Sequence, residues 1–130
     1  MNISNTKQQI SLRKQSFGYA FAGLKAIWIS EINFRIHVII ALCVLCLGIV
    51  FKLNSFEWIS IILCIGMVIA SEFFNTVIEH FCDFVSIDIR PEIKVIKDMS
   101  AAAVLLVAIM SVLIACIIFL PKIYQNIFSI

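Results

Sequence analysis

Three apolar runs, each long enough to cross a bilayer, leave this chain few ways to fold: about 34–51, about 56–81 and about 99–120. Inside hydrocarbon a backbone has no water to bond to, so an open chain must satisfy its own amides and carbonyls as helix. At 62% hydrophobic and 14% charged residues over 130 positions, the composition is far too apolar for a water-soluble domain of this size. These features predict an all-α integral membrane protein, a single domain over 1–130 with three transmembrane helices and an N-terminal amphipathic surface helix. The first 25 or so residues are polar and basic without an early apolar core, so no cleavable leader is expected.

The joints between runs are short. Lys52-Leu53-Asn54-Ser55 forms a tight polar connection, in which Ser55 is expected to cap the next helix with Glu57 in its first turn and Trp58 as an interface anchor. Pro121 is expected to end the third span. Over about 7–29, Phe17, Ala20, Leu24, Ile27 and Trp28 share a helical face bordered by Lys7, Lys14 and Lys25, the pattern of a helix lying on a membrane. Gly18, Ala22 and Ala26 mark a second face, and Gly66 with Ala70 a similar one on the middle span, where another backbone can come close. The five cysteines, Cys43, Cys46, Cys64, Cys82 and Cys116, lie in or beside apolar runs and read as small fillers.

Basic residues orient the spans. Lys7, Arg13, Lys14, Lys25 and Arg35 precede or open the first span, and Arg90, Lys94 and Lys97 separate the second from the third; Lys52 and Lys122 face the other way. The positive-inside rule then puts the N-terminus and the loop at about 83–98 in the cytoplasm. A net charge of +2, without a basic-aromatic array, argues against nucleic acid as a partner.

Polar residues interrupt the middle run where lipid should tolerate none. At about 100° per residue, Glu72, Thr76, Glu79 and Asp83 fall within about 40° of one another, with Asn75 at the edge of the stripe. A carboxylate at mid-bilayer costs roughly 2.5–3.5 kcal/mol on insertion scales, so such a stripe calls for a function or a partner. Glu72 and Glu79 stand about 10 Å apart along the axis, which suits a division of labour. Glu79, nearer the cytoplasm, can hold Mg²⁺ on nucleotide phosphates, with Glu31 as a second carboxylate. Glu72, deeper, can take a proton from a lipid hydroxyl, and Asn75 can orient either partner. Lys97 is placed to neutralise phosphate charge, and Asp98 beside it also reads as an ordinary first-turn acid. On spacing alone, a polar network that only fixes helix packing explains the stripe as well.

The pattern Glu72-x-x-Asn75-Thr76-x-Ile78-Glu79-x-x-x-Asp83, followed by Lys97-Asp98-x-x-Ala101-Ala102-Ala103-Val104, resembles the signature of the small bacterial diacylglycerol and undecaprenol kinases. Gly23-Leu24 and Glu31-x-Asn33-Phe34-Arg35-Ile36-His37 fit the same family, and the similarity runs from about Phe17 to Pro121. The resemblance implies a homotrimer in the bacterial inner (cytoplasmic) membrane, with ATP and Mg²⁺ at the cytoplasmic face and active sites shared between subunits. It implies Glu72 as catalytic base and Glu31 and Glu79 as metal ligands that also meet ATP. Tyr19, Lys97 and Asp98 match nucleotide contacts, Asp88 and Arg90 weaker ones, and Asn75 and Asp83 supporting polar positions.

Two positions depart from the pattern: Arg90 stands where many relatives carry histidine, and Val77 where alanine is usual. His37, Glu57-Trp58, Pro91 and Phe119-Leu120-Pro121-Lys122 are similar to the undecaprenol branch, whereas Trp28 and Lys97-Asp98-Met99 are similar to the diacylglycerol branch. The balance favours undecaprenol. His37 and His80 are expected as polar tips at the interface. The reading from another class is a small proton-coupled transport or channel subunit with Glu72 and Glu79 as a relay.

Overall fold

A computed structural model describes residues 3–85 and 90–128, with the side chains of residues 3–11 and 14 outside that description. Four helices account for nearly all of it: α1 (Ile3–Ser30), α2 (Ile32–Val50), α3 (Ser55–Val85) and α4 (Pro91–Phe128). The last three are long and apolar enough to cross a membrane, and no strand occurs among the described residues. This is the expected all-α architecture of three spans and an N-terminal helix. By contact the chain divides into two compact units, Met1–Ile32 and Asn33–Ile130.

In the first unit, Phe17, Phe21, Leu24 and Trp28 recur at helical spacing on α1 and stay exposed in the single chain. Large apolar side chains kept on the outside in this way suit a helix made for a membrane or protein surface. The small-residue face has no close neighbour at its glycine: a Cβ on Gly18 would meet nothing within 4 Å, and the same holds for Gly66 on α3.

In the second unit, the corner between α2 and α3 is closed by backbone geometry. The Leu53 amide donates to the Gly48 carbonyl at 3.0 Å and the Lys52 amide to the Ile49 carbonyl at 3.2 Å. Together with Lys52 in the left-handed region (φ 49°), these bonds make a Schellman stop. The cap of α3 is Asn54, one residue before the expected Ser55. Its Oδ1 accepts the Phe56 and Glu57 amides at 3.0 and 3.1 Å, while Glu57 Oε2 accepts the Asn54 amide at 2.7 Å. This reciprocal box needs a carboxylate three residues after the cap, and only Asn54 has Glu57 at that distance.

Trp58 does more than anchor an interface. It is half-buried, and a Cβ on Gly48 would lie 2.8 Å from its Cη2, so only glycine lets the indole lie against α2. Leu53, Ile61 and Phe119 form the buried cluster beside it, and Phe51 meets Phe119 edge to face at 6.0 Å. Lysine in the left-handed region carries a steric cost of about 1–2 kcal/mol that glycine does not. Lys52→Gly is therefore expected to raise stability by about 1 kcal/mol after the entropy of the freer unfolded chain is counted. The measurement is the denaturation midpoint in detergent, and a lowered midpoint would contradict this account of the corner.

Pro121 does not stop the helix, as a proline there is expected to do. α4 continues through it to Phe128. Two contacts support the turns around and beyond it: Lys122 Nζ pairs with Glu57 at 3.1 Å, and Tyr124 packs on Phe128 with ring centroids 4.6 Å apart. The helix also begins before the apolar run. Arg90 takes the cap position, its carbonyl accepting the Lys94 amide at 3.1 Å, with Pro91 at the first helical place where its missing N–H costs nothing. At 1.5 Å per residue α4 is about 57 Å long, against a hydrocarbon core of about 30 Å. Its polar first two turns therefore project beyond the apolar segment.

α3 and α4 pack antiparallel along much of their length. Ion pairs close both ends, Glu57 to Lys122 and Asp83 to Lys97, with Ile61 and Phe119 in the intervening core. This register positions the site.

Candidate functional site

Glu72, Asn75, Thr76 and Cys82 are the buried residues in the second half of α3, with Glu72 at 3% exposure, Thr76 at 5% and Asn75 at 7%. A helix that buries polar side chains while its apolar ones face outward is inverted relative to a soluble helix. That is what a polar site inside a membrane domain requires. Thr76 Oγ1 donates to the Glu72 carbonyl at 3.1 Å, which satisfies a buried hydroxyl within the helix.

Asn75 links the two helices. Ser100 Oγ, buried on α4, donates to Asn75 Oδ1 at 2.6 Å, and Asn75 Nδ2 donates to Glu79 Oε1 at 3.1 Å. Glu79 is half-exposed, and a carboxylate has about four acceptor positions, so the bond from Asn75 leaves capacity for a cation. One turn nearer the end of α3, Asp83 accepts from Lys97 Nζ at 2.8 Å. Lys97 precedes the apolar segment, and the Asp83 hydrogen bond raises its ammonium pKa above the ordinary lysine value. A firmly charged lysine beside the stripe is suited to receive phosphate oxygens.

The second unit thus brings together Glu72, Asn75, Glu79, Asp83 and Lys97. Asp98 points elsewhere: it is exposed and pairs with Lys94 at 3.1 Å on its own helix. Arg90 is exposed at the cap of α4, and Asp88 lies outside the described residues. In the first unit, Tyr19 is 74% exposed on α1, and Glu31 stands half-exposed at the one-residue break after α1, its amide donating to the Ile27 carbonyl at 2.9 Å. Val77 is exposed and does not enter the α3–α4 seam. His37 lines an apolar cleft of about 170 Å³ among α2, α3 and α4, whereas His80 is exposed.

Ser100 has no counterpart among the residues expected from sequence. The run Ser100–Ala103 reads only as a small surface that lets a neighbour approach. Its contact with Asn75 depends on the register of two helices, which no local pattern encodes.

Comparison with known proteins decides what this arrangement belongs to. Residues 18–119 match the family described as prokaryotic diacylglycerol kinase. The chain belongs to that family. It is a lipid kinase of the membrane, and the match takes in α3's polar stripe together with Lys97 and Ser100. Among its relatives, the undecaprenol kinase of Bacillus subtilis is 34% identical over 94% of this chain and 99% of its own length. A diacylglycerol kinase of Helicobacter pylori is 36% identical over 68% of this chain and 69% of its own. The diacylglycerol kinase of Escherichia coli is 29% identical over 78% and 83%.

Proposed function

We propose that this lipid kinase moves the terminal phosphoryl group of ATP to the hydroxyl of a membrane lipid, with undecaprenol favoured over diacylglycerol. The observation that carries the reading is the polar side of α3, where Glu72 is buried one turn from an Asn75 that bonds to Ser100 of α4, with Lys97 against Asp83 farther along the same side. Phosphoryl transfer asks mainly for positioning and charge stabilisation, which three helices can supply without a glycine-rich loop.

In this reading Glu72 accepts the hydroxyl proton as the lipid oxygen bonds to phosphorus and the bond to ADP breaks. A carboxylate held beside the hydroxyl is the usual type of group for that step. The Glu79 carboxylate, half-exposed with acceptor positions to spare, fits Mg²⁺, which needs only one or two carboxylates and fills its shell with water and phosphate. Glu79 and Glu31 would hold it, and it would supply charge neutralisation on the phosphates. Lys97, Asp98, Tyr19, Arg90 and Asp88 are the proposed nucleotide contacts, with Asn75 and Asp83 supporting them. Nothing further is asked of the Lys94–Asp98 pair than to open as nucleotide arrives, and an exposed pair of this kind is worth under about 1 kcal/mol.

The apolar cleft reaches Val68 and Ile69 on α3, one turn from Glu72 on the same side of the helix. A hydrocarbon chain lying there would bring a terminal hydroxyl toward the carboxylate. Undecaprenol is favoured because the similarity to an undecaprenol kinase runs end to end, while that to the diacylglycerol kinases covers less of the chain. The proposal extends to one kinase domain over residues 1–130, a homotrimer with shared sites, and a bacterial inner membrane location with the N-terminus in the cytoplasm.

The test is transfer from labelled ATP in mixed micelles offered undecaprenol and diacylglycerol separately. Label in undecaprenol at severalfold or more the rate in diacylglycerol is the expected result. The reverse preference overturns the substrate assignment, and label in neither overturns the lipid-hydroxyl reading.

A further inference from the structure

The seam contains a residue whose role the reaction scheme above does not use. Ser100 Oγ lies 2.6 Å from Asn75 Oδ1 and 2.9 Å from the Lys97 carbonyl, yet a hydroxyl has one proton to give. The Lys97 carbonyl sits inside α4, where the helix already offers it the amide four residues on. Asn75 Oδ1 carries no proton, so at 2.6 Å two unbridged oxygens would repel; the hydroxyl proton belongs on the asparagine. The other end of the amide is equally constrained. Glu79 Oε1 at 3.1 Å from Nδ2 can only accept, so the NH₂ must face it. A flipped Asn75 would set its carbonyl against a carboxylate and its NH₂ against a hydroxyl that then has to turn round.

From this we propose that Ser100 is a positioning residue: its hydroxyl locks the Asn75 amide so that Nδ2 is held on the Glu79 carboxylate. The chain of donors runs one way, from α4 through the buried amide to the half-exposed acid. All three groups sit where α3 and α4 meet, and Ser100 and Asn75 are both buried, so water does not readily take over the serine's part. The consequence for catalysis rests on the reading of Glu79 as a cation-holding residue; the positioning itself does not.

The test therefore has two readouts. The first is the infrared carboxylate band of Glu79 in the metal-free protein, labelled with ¹³C-glutamate and assigned by its loss in Glu79→Gln. Ser100→Ala, which removes the hydroxyl and little volume, is expected to shift that band in the same direction as Asn75→Ala. An unmoved band overturns the proposal whatever the enzyme does with metal. The second is Mn²⁺ binding, followed by electron paramagnetic resonance with a non-hydrolysable ATP analogue, so that no turnover is needed. Ser100→Ala is expected to weaken binding about tenfold, the size of one lost hydrogen bond to a charged group. On an Asn75→Ala background the same change is expected to add nothing, and full additivity there overturns the route through Asn75. If Glu79→Gln binds Mn²⁺ as well as the wild type, the cation-holding role of Glu79 fails, and the infrared band alone then decides the positioning.

Discussion

Glu72→Gln is expected to lower the rate of phosphoryl transfer by about 10²–10⁴-fold, the usual worth of a general base, while nucleotide binding stays within about twofold. Glutamine matches glutamate in shape, so the cavity around a side chain of 3% exposure stays filled. What disappears is the ability to take up a proton. Single-turnover transfer in micelles and ATP-analogue binding measured on the same preparation separate the two effects. Turnover near the wild-type value would remove Glu72 from its assigned part. A packing role alone predicts instead that apolar replacements at both Glu72 and Glu79 are tolerated or stabilising. A proton relay predicts ion flux in liposomes that ignores ATP.

Glu79→Gln should act differently. The half-exposed carboxylate is proposed to meet a cation, so its loss is expected to raise the Mg²⁺ concentration for half-maximal activity by about 100-fold, with much of the rate recovered at saturating metal. The carboxamide can still accept from Asn75 through its oxygen, so the buried link to Ser100 can survive. A magnesium titration of the variant at fixed lipid and ATP makes the comparison. An unchanged half-saturation point would take Glu79 out of the cation's shell. A rate that no amount of metal restores would mean that it acts on the reaction in some other way.

Much of this protein is legible along the chain because the information is local. Three long apolar runs can only be spanning helices, and the 3.6-residue period puts Glu72, Asn75, Thr76 and Glu79 on one side of the second. The resemblance carried by these same residues leads to the family that residues 18–119 match. Local reasoning is weaker at the joints. Asn54, not Ser55, caps α3 because the cap is chosen by which residue has Glu57 three places on. Pro121 loses only one helical hydrogen bond and strains one turn, a cost of about 3 kcal/mol that the surrounding contacts offset.

What the sequence determined by itself was the set of helices and the polar side of α3. Tertiary structure alone decided that Ser100 meets Asn75, that Lys97 meets Asp83 rather than standing alone, and that Gly48, with no small partner in any motif, has an indole packed against it. Periodicity gives each helix a phase about its own axis. The axial register between two helices comes from many weak contacts summed along the whole α3–α4 seam, and a slide of one turn, about 5.4 Å, would break both the Ser100–Asn75 and the Lys97–Asp83 pairing without altering either helix.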